Sequence, residues 1–262
     1  MSNRDTPVDK RVALTSIDGW TRLKSHTTAR IALGRSGSSL PTSEVLGFGL
    51  AHAQARDAVH LAFDTGAIAA AVQAMGFEPR LVESAAVSRE SYLRRPDLGR
   101  RLSDVSRVAL QANLERGADI GIVIGDGLSA TAIHQNVEPL LRALTPLLRI
   151  KQMTIAPIAI ARNARVALAD EVGALQGVRA VLMLLGERPG LSSPDSIGAY
   201  LTFDPRVGKN DADRNCVSNI RPGGLTFGEA AHKLVWLIEE AFRMRGTGVQ
   251  LKDNSPTFTL LG

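Results

Sequence analysis

The sequence predicts an α/β protein in which a mainly helical N-terminal domain precedes a Rossmann-like domain built on a parallel sheet. Three observations carry this. Between residues 120 and 185, short apolar runs bounded by glycine alternate with stretches whose apolar residues recur every three to four positions, the pattern of βαβ units. Before about residue 100 the helical spacing dominates and convincing strands are few. Near the C-terminus, Thr226 and Glu229 form a capping box at the head of a strongly amphipathic helix. The expected organisation is a flexible N-terminal segment over 1–28, a mainly helical domain over 29–100 and the Rossmann-like domain over 101–262.

Taken in order, residues 1–28 are polar and mixed in charge. Val12, Ile17, Trp20 and Leu23 fall near helical spacing, which suits either a short docking helix or a frayed tail. Residues 29–42 hold two glycines and three serines around Arg35, a composition suited to backbone contact with an anion or to a plain connector. Thr42 can cap the helix expected over 43–59, where Leu46, Leu50, Ala53 and Asp57 are four-spaced or nearly so. Further helices are expected over 67–75, 89–94 and 102–115, with Pro96 punctuating them. Strands are expected over 120–124, 155–160 and 178–185, separated by helices over 133–148 and 166–175, the second closed by Gly177. Residues 199–203 offer a further strand. The last helix presents Ala230, Leu234, Leu237, Ile238 and Ala241 on one face and stops at Gly246.

Composition narrows the function classes. The chain of 262 residues suffices for one large domain or two smaller ones. It holds no apolar run of about 18 residues, and its charged N-terminus does not read as a signal core, so a soluble, cytoplasmic protein is expected. A single cysteine excludes an internal disulfide and a cysteine-rich zinc site. The net charge of +5, from 31 Lys and Arg against 26 Asp and Glu, is spread along the chain. Aromatic residues make up 4%, too few for a base-stacking platform, so a nucleic-acid partner is disfavoured. An anionic small ligand or an acidic partner protein would use the same charge.

Among motifs, Gly125-Asp126-Gly127-Leu128-Ser129-Ala130 has the spacing of a dinucleotide-binding turn, in which glycines let the backbone approach a pyrophosphate. The acid that would hold a ribose is missing, because the next strand ends in Ala161-Arg162-Asn163. A structural role for the glycines therefore stands beside the alternative of a stand-alone nucleotide-binding module. No G-x-S-x-G elbow occurs, and the histidines at 26, 52, 60, 134 and 232 include no His-x-x-x-His pair, so no metal ligand and no self-contained catalytic set is assigned.

The stretch 186–196, carried on to 214–221, is dense in Gly, Pro and Ser, contains the only cysteine, and has no regular pattern. In a parallel sheet, Asp126, Val166 and the Glu187-Arg188 pair fall after successive strands and converge on the carboxyl edge, where ligands bind. Cys216, in the connection returning across that edge, can join them. The bland alternatives are a small buried hydrophobe for Cys216 and an exposed ion pair for Glu187 and Arg188.

Five blocks carry a family resemblance: Ala-Arg-Ile-Ala-Leu-Gly-Arg at 29–35, Ala-His-Ala-Gln-Ala-Arg-Asp-Ala-Val at 51–59, Tyr-Leu-Arg-Arg-Pro-Asp-Leu-Gly-Arg at 92–100, Gly-Glu-Arg-Pro-Gly-Leu-Ser-Ser-Pro-Asp-Ser at 186–196, and Arg-Asn-Cys-Val-Ser-Asn-Ile-Arg at 214–221. Together they closely resemble the small subunit of ethanolamine ammonia-lyase, from about Thr28 to Asp253. The resemblance implies an adenosylcobalamin-dependent lyase that converts ethanolamine to acetaldehyde and ammonia through radicals. It implies a separate large subunit that carries the substrate site and most of the chemistry, with this chain covering the coenzyme from the other side. By matching motifs, Val166, Glu187 and Cys216 correspond to the family's cobalamin contacts. The segment before Thr28, which matches least, serves in this family in assembly or in targeting to a bacterial microcompartment.

Overall fold

The computed structural model describes residues 18–112 and 117–257. The expected helical positions Val12 and Ile17, and the far end of the helix expected over 102–115, lie outside the described residues. Two compact units divide the chain, residues 1–54 and 55–262.

In the first unit, a 3-10 turn over Gly19–His26 precedes an extended stretch and helix α1 (Thr42–His60), which runs on into the second unit. Helix α1 begins at Thr42, directly after Pro41, so Thr42 is its first residue. Glu44 organises the local contacts. Its carbonyl accepts from Arg30 Nη2 at 2.7 Å, and Lys24 Nζ lies 3.5 Å from its carboxylate. The serines and glycines before it form a tight turn. Gly37 takes φ +62°, which an L side chain resists, and Ser36 N–H donates to Ser39 O at 2.8 Å. Val45, Leu46, Phe48 and Leu50 of α1 are exposed.

In the second unit, α2 (Thr65–Ala74), α3 (Arg89–Arg94), α4 (Asp104–Ala112), α5 (Ala130–Ile150), α6 (Leu168–Gln176) and α7 (Phe227–Met244) accompany six strands. The strands are β1 (Pro79–Glu83), β2 (Ile120–Gly125), β3 (Ile158–Arg162), β4 (Ala180–Gly186), β5 (Ile197–Phe203) and β6 (Arg214–Ile220). They form one sheet in the order β1-β3-β2-β4-β5-β6. The first four run parallel, and β5 and β6 extend the sheet in antiparallel pairing.

Two strands correct the sequence reading. Strand β1 lies within 29–100, where helix was expected to dominate. It is a short edge strand whose Pro79-Arg80-Leu81-Val82-Glu83 buries only Val82, so it presents no apolar run to detect. Strand β6 occupies residues read as irregular. Its sequence Arg-Asn-Cys-Val-Ser-Asn-Ile buries positions 214, 217 and 220 and breaks the period of two because the register with β5 shifts between Ile197 and Ala199, a β-bulge.

Alternation along the strands sorts side chains to two faces. Ile120, Ile122 and Ile124 point to one face with Ile158, Ile160, Leu182 and Leu184, packed with residues of α2, α5 and α7. Val123, Ala159, Ala161, Val181 and Met183 point to the other, packed with Leu110 of α4 and Leu168 and Val172 of α6. Strands β2, β3 and β4 are buried on both faces, which is why they read as continuous apolar runs. Helix α6 ends on Gly177 at φ +63°, as its sequence predicts, whereas α7 ends on Arg245 at φ +57°, one residue before the expected Gly246. Among the described residues, no helix is long and apolar enough to cross a membrane.

Candidate functional site

The chain leaves β2 toward α5 on one face and leaves β3 toward α6 on the other. Their carboxyl ends therefore flank a topological switch point, the usual place for a ligand crevice in such sheets. Here α3 fills it. Asp126, 2% exposed, accepts from the Ala164 N–H at 3.1 Å and from Arg89 Nη1 at 3.1 Å. Burial pushes its carboxyl above the usual range, with Arg89 and the surrounding N–H groups pulling the other way. Arg89 also donates to Gly127 O at 2.7 Å and to Val59 O at 2.9 Å. Tyr92, fully buried, lies between the guanidiniums of Arg89 and Arg165 at 4.9 and 4.5 Å from its ring centre, and its hydroxyl donates to Ala164 O at 3.0 Å.

The glycine-rich turn after β2 is closed by the end of β4. Leu128 N–H donates to Gly186 O at 2.9 Å, Ser129 N–H to Asp126 O at 3.1 Å, and Ala132 N–H to Ser129 Oγ at 3.1 Å. A Cβ on Gly127 would collide with the Gly186 carbonyl oxygen, and one on Gly186 with the Ser129 carbonyl. These glycines permit backbone packing at the place where a pyrophosphate would otherwise sit.

Glu187 follows β4, half-buried, with its N–H on Ser196 O at 3.0 Å. Its Oε2 accepts from the Asn219 N–H at 3.1 Å. That donor is free because the bulge in β6, with Asn219 at φ +58°, turns it out of the ladder. Glu187 Oε1 faces β5, where a Cβ on Gly198 would lie 3.1 Å from it and 2.9 Å from the Tyr200 ring. Gly198 thus leaves room for the ring to lie beside the carboxylate.

Cys216 lies in β6 directly opposite Tyr200, not in a loop over the carboxyl edge, a correction that follows from β6 being a strand. The residue is exposed, yet crowding around the sulfur pushes its thiol up to about 11, with Glu187 adding to the rise and the neighbouring Tyr200 hydroxyl opposing it. Burial also pushes the Tyr200 phenol up, helped by Cys216 and Glu187. The structure therefore brings Glu187 and Cys216 together through Tyr200.

Val166, in the turn between β3 and α6, packs with Tyr200 against the same apolar cluster. It also lines a cavity of about 490 Å³ with Arg100, Arg165 and Asp211. Asp126 is separated from this group in role, being consumed by Arg89. Sequence reading missed Tyr200 and Gly198. Their signal was weak but present, since Gly198, Tyr200 and Thr202 alternate along the strand expected near 199–203. Beneath Cys216, Arg214 pairs with Asp170 of α6 at 2.7 and 2.8 Å, with both side chains nearly fully buried, and fixes the start of β6 to the helix. Among the described residues, no cluster of three or more His, Cys, Asp or Glu is arranged to hold a metal ion.

Comparison with known proteins gives a consistent result. The model of the ethanolamine ammonia-lyase light chain (EutC) family matches residues 17–252. An ethanolamine ammonia-lyase small subunit of Xanthomonas campestris pv. campestris is 53% identical over 241 residues, covering 91% of this chain and 89% of the relative. The small subunit from Pseudomonas syringae pv. tomato is 51% identical over 92% of this chain and 85% of its own length. That from Ralstonia nicotianae is 51% identical over 95% and 92%. A match spanning nearly the whole chain at such identity establishes descent, and the chain belongs to the ethanolamine ammonia-lyase small-subunit family.

Proposed function

We propose that this chain is the small subunit of an adenosylcobalamin-dependent ethanolamine ammonia-lyase and closes over the coenzyme at the interface with a separate large subunit. The observation that carries the reading is the grouping of Glu187, Tyr200 and Cys216 on one open face of the β5–β6 extension, with Val166 on the same side of the sheet. The coenzyme supplies the radical chemistry when bound. This chain binds, orients and shields.

The donor set suits such a ligand. A corrin ring is rimmed by amide side chains, which need both acceptors and donors. Glu187 spends one oxygen on Asn219 and keeps Oε1 for an amide N–H. The backbone N–H groups of Val166 and Ala167 have no partner among the described residues, so they can meet an amide carbonyl. The Tyr200 ring and Val166 side chain supply apolar surface. Tyr200 acts through its neighbours, holding Cys216 and Glu187 in place. No catalytic residue is assigned to this chain. The exposed apolar side chains of α1 favour a large partner surface, since Val45, Leu46, Phe48 and Leu50 gain by leaving water. Assembly in the cytoplasm, within a protein-shelled microcompartment where the host forms one, belongs to the same reading.

Co-expression with the cognate large subunit should yield coenzyme-dependent ammonia release from ethanolamine, and absence of that activity in a correctly assembled complex overturns the proposal. Within the complex, Glu187→Ala should weaken coenzyme binding about tenfold, the worth of one charge-assisted hydrogen bond. An unchanged dissociation constant removes Glu187 from the site. The rival, a stand-alone nucleotide-binding module, finds its turn closed by Gly186. Micromolar binding of NAD, NADP or ATP by the isolated chain, measured by calorimetry, would revive it.

A further inference from the structure

The contact that joins β6 to α6 is a buried pair of charges. Arg214, the first residue of β6, donates through Nη1 to both carboxylate oxygens of Asp170, in the first turn of α6, at 2.8 and 2.7 Å. Its Nη2 donates to Lys209 O at 2.9 Å. The two side chains are 3% and 2% exposed, and burial pushes the Asp170 carboxyl above its usual range while Arg214 pulls it back. Taking two charges out of water commonly costs more than their attraction returns, so an apolar pair of similar volume holds a fold together as well or better. Stability alone does not account for such a pair. Its position in the sheet does.

Strand β6 lies at the edge of the sheet, buries only positions 214, 217 and 220, and pairs with β5 across a bulge. A strand of this kind has little apolar pattern to fix its register, and a slip would carry Cys216 away from Tyr200. Arg214 faces Thr202 across the ladder, and two residues on, Cys216 faces Tyr200, so both pairs share the sheet face on which Tyr200 packs with Val166. Helix α6 is itself anchored, because Glu171 accepts from the Leu102 N–H at 2.8 Å and from Arg107 Nε at 2.6 Å. Its first turn is tied to Val166, with the Ala169 N–H on Val166 O at 3.1 Å and the Asp170 N–H on Ala167 O at 3.3 Å. The carboxylate that grips β6 therefore sits one turn from Val166. Asn215 binds the other way, to Gly248 and Leu251, and does not join β6 to the Val166 side.

We infer that Asp170 and Arg214 are positioning residues, a charged lock that holds β6 in the register setting Cys216 opposite Tyr200 and ties that wall to the turn carrying Val166. The inference deepens the coenzyme reading and rests on it for its effect on binding. A polar pair suits the task because it is satisfied in one register only, whereas apolar side chains tolerate sliding.

The test replaces the lock by apolar side chains, Asp170→Leu together with Arg214→Met. Urea unfolding of the double variant should come closer to wild type than that of either single variant, each of which leaves a charge buried alone. Thiol exchange of Cys216 in the full chain, followed across pH 7.5–10, should nevertheless move to lower pH, toward an ordinary thiol, as the strand leaves its register. In the assembled complex with the large subunit, equilibrium dialysis should show cyanocobalamin bound about tenfold more weakly, the worth of one misplaced hydrogen bond to a charged group. A wild-type thiol profile in the double variant overturns the lock. A shifted profile with unchanged cyanocobalamin affinity overturns its role toward the ligand. A wild-type complex that does not bind cyanocobalamin refutes the coenzyme reading, and the thiol profile still decides the lock. If the double variant does not fold, Arg214→Lys takes its place. It keeps the charge beside Asp170 with one nitrogen where Arg214 uses two, and should show both changes in smaller measure, so wild-type values for both overturn the inference.

Discussion

Because the chain has a single cysteine, the thiol of Cys216 reports on the candidate site without any label. The crowding around its sulfur raises its pKa from 9.0 to about 11. At pH 8 an ordinary thiol with the first value is about one tenth thiolate, and one with the second about one thousandth, roughly a hundredfold less. A more basic thiolate is also more nucleophilic. With a Brønsted coefficient near 0.4–0.5 in thiol–disulfide exchange, two pKa units return somewhat under tenfold. The thiolate fraction wins, so exchange with a small aromatic disulfide at pH 8 should run about tenfold slower than with an unperturbed exposed thiol. Stopped-flow measurement across pH 7.5–10 should show a rate that climbs about tenfold per pH unit without levelling. Glu187→Gln should shift the profile to lower pH by removing a nearby negative charge, and Tyr200→Phe to higher pH by removing the hydroxyl that stabilises the thiolate. A plateau beginning near pH 9, or a profile unmoved by both substitutions, refutes the proposed triangle of Glu187, Tyr200 and Cys216.

Other outcomes follow from the same contacts. Gly198→Ala places a methyl group 2.9 Å from the Tyr200 ring and 3.1 Å from Glu187 Oε1, so urea unfolding should show a loss of about 1–3 kcal/mol, typical of overpacking. Asp170→Asn leaves the buried Arg214 short of its charge partner and should cost about 3–5 kcal/mol. A well-packed apolar replacement of both residues should recover most of that loss, and equal damage from the double variant would show that packing, not charge, governs the position. Thr226→Ala removes the acceptor for the Glu229 N–H and should lower stability by about 1 kcal/mol in chemical denaturation. The raised Cys216 thiol also predicts a pH effect. Its stabilising contribution is complete below pH 9, where the thiol is protonated in folded and unfolded chains, and declines as the pH rises toward about 11. Cys216→Ser should flatten that decline in pH-dependent denaturation curves.

How much of the molecule the sequence discloses depends on whether a segment is buried on one face, two or none. Strands β2 and β4 are buried along their whole length, so their apolar runs are unmistakable, and β3 is recognised with its start displaced by three residues. Helix α5 announces itself through Ile133, Val137, Leu140, Leu141, Leu144 and Leu148, all buried, and tolerates Pro139 and Pro146 within it. Strands β1 and β6 each have an edge position and bury few side chains. Nothing in their local sequence outweighs a loop reading, and it is pairing with β3 and β5 that makes them strands.

By itself, the sequence determined the family, the α/β class, the C-terminal ends of α6 and α7 to within a residue, and the identities of Val166, Glu187 and Cys216 as residues to watch. Recurring apolar spacing and motif blocks are local properties that survive in one dimension. Only the tertiary structure decided that the dinucleotide-like glycines serve close packing against Gly186, that Asp126 is held by Arg89, and that Cys216 meets Glu187 across Tyr200 on a bulged edge strand. It also set Arg165, Arg100, Asp97 and Asp211 around one cavity beside Val166. The physical reason is the same in each case: these properties come from groups far apart in the chain, whose burial, register and charge balance exist only once the sheet has closed around them.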